Sequence, residues 1–209
     1  MASPQTAVPA APAATGRRLG PDARRAQLVG VGLALMKEMP FDEVTAEVVA
    51  RVGGVSKGLV FHYFPTTRDL QVAILRAASA ELLSELDVSA GLPPDEALKV
   101  GLDAFVRYIE QQPASYQAVA RRAGSDERLL AVFEDTRVAV VDIVAATLGF
   151  SDLPAGLRLV FRGWIAMVEE CILHWVNDKP VPRDELLEFL RQAALRMLPD
   201  ALALGVPRA

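Results

Sequence analysis

The sequence predicts an all-α protein: an N-terminal three-helix unit of helix-turn-helix type, followed by a larger C-terminal helical part. Three observations carry this expectation. From Pro21 onward apolar residues recur at intervals of three and four, the spacing of a single helix face. The periodic stretches are punctuated by Pro, Gly and Asp at the places where helices begin and end. No segment alternates with the period of two that marks a half-buried strand.

The elements follow in order. Residues 1–20 open with an Ala/Pro-rich stretch too poor in large apolar groups to pack, and are expected to form a tail. Leu28, Gly32, Leu35, Met36 and Met39 make a helix stripe that ends by Pro40. Thr45 caps a short second helix carrying Val48, Val49 and Val52, and Gly53-Gly54 stops it. Ser56 caps a third helix. Thr66 and Asp69 have the spacing of a capping box for a fourth, with Leu70, Ala73, Ile74 and Ala77 inward. Past "AGLPP", helices are expected near 94–111, 113–123, 126–148, 154–177 and 183–198.

Composition narrows the function classes. The chain has 209 residues, 52% hydrophobic and 23% charged, enough for one large helical domain or two sharing a core. Residues 1–70 hold eight Lys/Arg against six Asp/Glu, and the remainder fourteen against twenty. A slightly basic head on an acidic body suits a surface that meets a polyanion at one end. The lone Cys171 precludes an internal disulfide and suits a reducing compartment. "LRLVFRGWIAMVEECILHWV" is interrupted by Arg158, Arg162, Glu169 and Glu170, so it reads as a buried helix and no membrane association is expected. With no export signal legible in the opening residues, the expected location is cytoplasmic. No cofactor fingerprint, nucleophile elbow or metal-ligand spacing is present, so neither cofactor, metal nor catalytic residue is expected.

The most informative stretch is "VSKGLVFHYFP", residues 55–65. Four consecutive rings, Phe61, His62, Tyr63 and Phe64, cannot all face one core from a helix. On a wheel starting at Lys57, Val60 and Phe64 fall on the edge that can pack inward, and Gly58, Leu59 and His62 lie opposite. Gly58 costs a helix interior roughly 1 kcal/mol against alanine. Such a cost is useful where a helix must approach another backbone closely. Ser56 and Lys57 occupy the helix N-terminus, where free N–H groups favour an anion. The outward half of this helix therefore suits a DNA major groove.

The run "VTAEVVARVGGVSKGLVFHYFPTTRDL", after "RRAQLVGVGLALM", resembles the DNA-binding domain of the TetR family of bacterial transcriptional regulators. The resemblance spans about residues 21–81 and leaves 82–209 matching in helical layout alone. It implies operator contacts from Thr45, Ser56, Lys57, Gly58, Phe61, His62, Tyr63 and Thr67, with Phe64 as core anchor. Phe61 stands where the family usually has tyrosine, removing one phosphate hydrogen bond. Thr67 replaces a frequent lysine, with Arg68 next to it as a substitute. Pro40 stands in place of a usual glycine.

Several residues keep two readings. Tyr63 is either partly core or at a phosphate, and His62 either reads a base or fills surface. Arg17, Arg18, Arg24 and Arg25 are either a minor-groove arm or a solubilising flank. Cys171 and His174 read as packing or interface residues. Phe105, Tyr108, Tyr116, Phe133, Phe161 and Trp164 are core aromatics that also suit the lining of an effector cavity in residues 82–209. Ile165, Met167, Leu173 and Val176 widen the apolar face of the helix at 154–177. Leu186, Leu187, Leu190, Leu195 and Leu198 do the same at 183–198, so these two helices are the expected homodimer contact. The leading expectation is a homodimeric repressor released from operator DNA by a small hydrophobic effector. The alternatives are a helical protein-interaction adaptor, which leaves the surface from Ser56 to Tyr63 without a purpose, and a small-molecule enzyme.

Overall fold

The structure, a computed structural model, describes residues 20–87, 91–123 and 126–204, and Arg17 and Arg18 lie outside them. Among the described residues there are nine α-helices and no strand. They are α1 (Pro21–Met36), α2 (Ala46–Val52), α3 (Lys57–Tyr63), α4 (Thr67–Asp87), α5 (Pro94–Gln111), α6 (Pro113–Ala123), α7 (Glu127–Thr147), α8 (Ala155–Asp178) and α9 (Arg183–Ala203). A 3-10 turn, Phe41–Glu43, joins α1 to α2.

The head is α1 to α3 gathered on the first half of α4. Leu28, Val49, Val60, Phe64, Leu70 and Ile74 form its fully buried centre. Gly32 sets the distance between α1 and α4, because a Cβ there would lie 2.2 Å from Ile74 Cδ1. Gln71, itself buried, donates from Nε2 to the carbonyl of Val44 at 3.2 Å and fixes the α1–α2 connection to α4. The reciprocal box at the start of α4 forms as its spacing predicts: Asp69 N donates to Thr66 Oγ1 at 3.0 Å and Thr66 N to Asp69 Oδ2 at 2.9 Å.

The body is a layered bundle in which α4 packs on α5 and α7, and α8 packs on α9. Because α4 runs unbroken from Thr67 to Asp87, the division expected after residue 81 falls inside a helix shared by head and body. Three further ties cross between them. Ser115 on α6 donates to the Met39 carbonyl at 2.7 Å. Arg68 pairs with Asp126 at 2.8 Å, and Arg128 with Asp69 at 2.8 Å, so the starts of α4 and α7 are joined by two crossed ion pairs.

Some expectations need correction. Val52 is 56% exposed, and the buried face of α2 is Ala46, Val49 and Ala50. Helix α9 continues through Pro199 to Ala203, because its last turn is held from outside: Ala201 is buried and Leu204 closes on Gly156 of α8. The proline leaves the Leu195 carbonyl without its i+4 donor, a cost confined to the last turn and offset by those contacts. Leu186, Leu187 and Leu190 are buried in the protomer's own core, as is Ile165, so these four are not free for a partner. The large apolar side chains that α8 and α9 leave exposed are Leu159 on the first and Phe189 and Leu202 on the second.

Candidate nucleic-acid interface

Both short helices of the head begin on a side-chain cap. Thr45 Oγ1 accepts from Val48 N at 3.3 Å, and Ser56 Oγ accepts from Leu59 N at 3.2 Å. The Thr45 hydroxyl takes an N–H left over at the start of α2, and Leu59 N shares its hydrogen between the Ser56 hydroxyl and the Ser56 carbonyl, the latter at 3.0 Å. Between the helices Gly54 takes φ +64°, the left-handed region that glycine enters without a Cβ penalty. At Gly53 a Cβ would meet the Val49 carbonyl at 2.9 Å. The two glycines let α3 turn back across α2 with Val60 against Val49 and Ala50 in one core.

That arrangement leaves the opposite side of α3 open. Ser56, Lys57, Gly58 and His62 are exposed; Leu59, Phe61 and Tyr63 are half-buried; Val60 and Phe64 are buried. Phe61 and Tyr63 pack against the core and so stand at the two edges of the exposed strip. The His62 ring meets Tyr63 edge-on at 5.1 Å between centroids. The Lys57 ammonium lies 5.9 Å from the Phe61 ring centre and 3.3 Å from Glu47 Oε1. A Cβ on Gly58 would meet only Ser56 Oγ, at 3.9 Å, so nothing within the protein requires glycine there.

The remaining sequence-predicted contacts lie beside this strip. Thr67 is half-buried at the first position of α4. Arg68 points its guanidinium into the body, with Nε at Asp126 and Nη1 on Gln71 Oε1 at 2.9 Å. Arg24 donates to Gln27 at 2.6 Å, and Arg25 lies 4.8 Å over the Phe64 ring. The Thr66 hydrogen bonds, then Arg128, hold the Asp69 carboxyl below its usual value.

Inside the body, two adjoining cavities of about 40 Å³ each share Phe105, Val140 and Ile165. Trp164 lines the first, and Tyr108, Tyr116 and Phe133 the second. Five of the six aromatics expected at an effector cavity therefore meet there. Phe161 does not: it is 1% exposed in the α8 core, while the cavities occupy only the stretch of that helix from Trp164 to Glu169.

Sequence reasoning missed the charged wall of the second cavity. Glu169 is buried and accepts from Tyr116 Oη at 2.9 Å and from Arg137 Nε at 2.9 Å. Arg137 also reaches Glu134, which pairs with Arg162. Burial, then the Glu169 charge, pushes the Tyr116 phenol well above its usual value. The available signal was a carboxylate flanked on the α8 stripe by Ile165, Val168 and Ile172. His174 is exposed and bonded to Glu170 at 2.9 Å, outside the core. Burial, then Glu170, raises the Cys171 thiol, against any reactive role.

Two capped helices at a glycine turn, with an open strip on the second, on a helical body define a helix-turn-helix regulator. Residues 28–74 match the family described as bacterial regulatory proteins, tetR family, and residues 94–197 match the tetracyclin repressor-like C-terminal domain. The chain belongs to the TetR family of transcriptional regulators, whose members bind DNA and ligands and act as dimers. The fold is similar to a TetR-family regulator from Streptomyces coelicolor, with TM-score 0.78, 28% identity and coverage of 88% of this chain and 84% of that one. A transcriptional regulator from Pseudomonas aeruginosa shares the fold at TM-score 0.67 and 19% identity, covering 88% and 93%. The HTH-type transcriptional activator FasR of Mycolicibacterium smegmatis is 24% identical over 187 residues, 86% of this chain and 84% of its own. The family and these relatives are transcription regulators, not enzymes. No described helix is long and apolar enough to cross a membrane.

Proposed function

We propose that the protein is a cytoplasmic homodimeric repressor that binds a palindromic operator and is released by a small hydrophobic effector. Residues 21–81 bind DNA, and residues 82–209 bind the effector and the second protomer. The observation that carries this reading is Gly58. It is exposed in the first turn of α3 with free space around it, so its missing side chain serves something outside the chain. A phosphate backbone or base edge reaching that surface meets Ser56 and Lys57 at the helix start, His62 on the strip, and Phe61 and Tyr63 at its edges. Thr45 and Thr67 flank it at the starts of α2 and α4. Arg68 joins them only when it leaves Asp126. The effector occupies the cavities between α4, α5, α7 and α8, whose aromatic lining includes Phe105, Tyr108, Tyr116, Phe133 and Trp164. The second protomer covers the outward faces of α8 and α9.

The test is a mobility shift on palindromic DNA from the gene's own upstream region. Saturable binding that weakens with salt supports the reading. Lys57→Ala should cost about 1–3 kcal/mol and relax preference at one base if Lys57 reads a guanine edge. Unchanged binding by that variant removes Lys57 from the interface. A second reading, activation by the bound dimer, is favoured by the name of the FasR relative. Transcription in vitro from the same promoter decides the sign.

A further inference from the structure

The charges around the two cavities restrict what can enter them. The first cavity is walled by Leu98, Leu102, Phe105, Val144 and other apolar groups, with Thr147 at one side. The Trp164 indole N–H, which also faces this region, is already given to the Leu190 carbonyl at 3.0 Å. An outer depression lined by Asp87, Asp142, Ile143 and Thr147 shares the last two residues with this cavity, and Asp142 there is paired with Arg158 at 2.8 Å. Among the described side chains that line the inner cavity one is a cation, Arg137, and it is held by Glu169 and Glu134. Tyr116 donates to Glu169, Tyr108 to the Ala78 carbonyl at 3.2 Å, and Thr136 to Ser79 Oγ at 2.8 Å. Among the described residues no buried side-chain polar atom lacks a partner.

An anionic ligand would have to take Arg137 from Glu169, leaving a buried carboxylate uncompensated. A cationic one would need a carboxylate that Arg137 already neutralises. Resting on the effector reading, we infer that the effector is an uncharged amphiphile, with a narrow apolar body lying from Leu98 to Phe105 and one hydroxyl, carbonyl or amide beside Tyr116 and Thr136. Such a head can exchange hydrogen bonds with the hydroxyls and with Gln112 without disturbing the ion pairs. The cavities are smaller than such a body, so filling them displaces their walls, which include Leu75, Ala78, Ser79 and Leu82 of α4.

The experiment compares decan-1-ol, decanoate and decyltrimethylammonium, each below its micellar concentration, by thermal shift, tryptophan fluorescence and operator release with the full chain. Decan-1-ol should bind at least about tenfold more tightly than either ion. A charged probe binding as tightly overturns the inference while leaving the effector cavity in place. Silence from all three overturns both, and operator binding is scored separately. Two variants locate the site. A Cβ on Gly101, which lines the first cavity, would meet nothing within 4 Å, so the leucine of Gly101→Leu starts in open space. The variant should fold, shift operator DNA and lose the decan-1-ol response; an unchanged response overturns the placement. Glu169→Gln frees part of Arg137 and should improve decanoate binding by about tenfold. If it does not, Arg137 is not what excludes anions, and the inference fails.

Discussion

Lys57 Nζ and Glu47 Oε1 are 3.3 Å apart, joining the start of α3 to the first turn of α2 beside the surface proposed to meet DNA. Both side chains are well exposed, so the pair adds little to stability. Its consequence is electrostatic, because a carboxylate beside the lysine offsets the charge that a phosphate would meet. Glu47→Gln should tighten binding to unrelated DNA by about threefold to tenfold at low salt and narrow the preference for the operator. Competition binding at two salt concentrations measures both effects.

Gly58 separates folding from recognition. Gly58→Ala should raise stability by about 0.5–1 kcal/mol, seen as a Tm increase of roughly 1–4 °C. The same variant should weaken operator binding by at least about tenfold. A variant that gained stability and kept full affinity would place the DNA surface elsewhere.

Leu159 is 69% exposed on α8 and Phe189 58% exposed on α9. A glutamate buried in a dimer at either position would lack a partner, a cost of about 3 kcal/mol, or roughly 100-fold in association. Leu159→Glu and Phe189→Glu should sediment as folded monomers at micromolar concentration, whereas the parent chain should sediment as a dimer.

Arg68 is engaged with Asp126, so Arg68→Ala should reduce operator affinity less than Lys57→Ala does. Asp126→Asn keeps an acceptor for the Arg128 and Leu129 N–H groups while losing the charge that holds Arg68. It should cost less than about 1 kcal/mol of stability. If the crossed pairs carry the switch, it should also blunt effector-induced release, and a double-mutant cycle on Arg68 and Asp126 measures their share.

Alkaline pH tests the buried phenols. Burial, with the nearby Glu81 and Glu85 charges against a Gln112 hydrogen bond, pushes Tyr108 up to about 12, and Tyr116 is also raised. A tyrosine in the unfolded chain ionises near pH 10, so the contribution of each phenol is fully present below that pH. It is lost at about 1.4 kcal/mol per pH unit per phenol as pH climbs toward the folded value. Tyrosinate absorbance for two of the three tyrosines should therefore appear together with loss of helical circular dichroism.

Local features were legible in the sequence because their chemistry is local. The Thr45 and Ser56 caps, the Thr66–Asp69 box and the inward edge of Val60 and Phe64 follow from spacing within one or two turns. Long-range choices were not. A stripe of leucines on α9 reports that the helix is covered, not by what, and Leu186, Leu187 and Leu190 prove to be covered by their own chain. Arg137 and Glu169 stand 32 positions apart on α7 and α8, and only packing reveals that they meet. The run of α9 past Pro199 likewise depends on Gly156 admitting Leu204, a contact between chain positions far apart.

The unbroken α4 gives the molecule a lever. Its 21 residues span about 30 Å at 1.5 Å per residue. With Ile74 notched into Gly32 and Gln71 holding the Val44 carbonyl, the head is fastened to one end of this rod. Leu82 and Leu86 at the other end border the two cavities. A swing of about 5° about the cavity end carries the head by roughly 2.5 Å on that 30 Å arm. In a twofold dimer the two heads would part or close by about twice that, against a groove repeat of about 34 Å that DNA does not relax. A small tilt of one rod in each protomer is thereby multiplied at the heads, and both would move against the same fixed groove repeat.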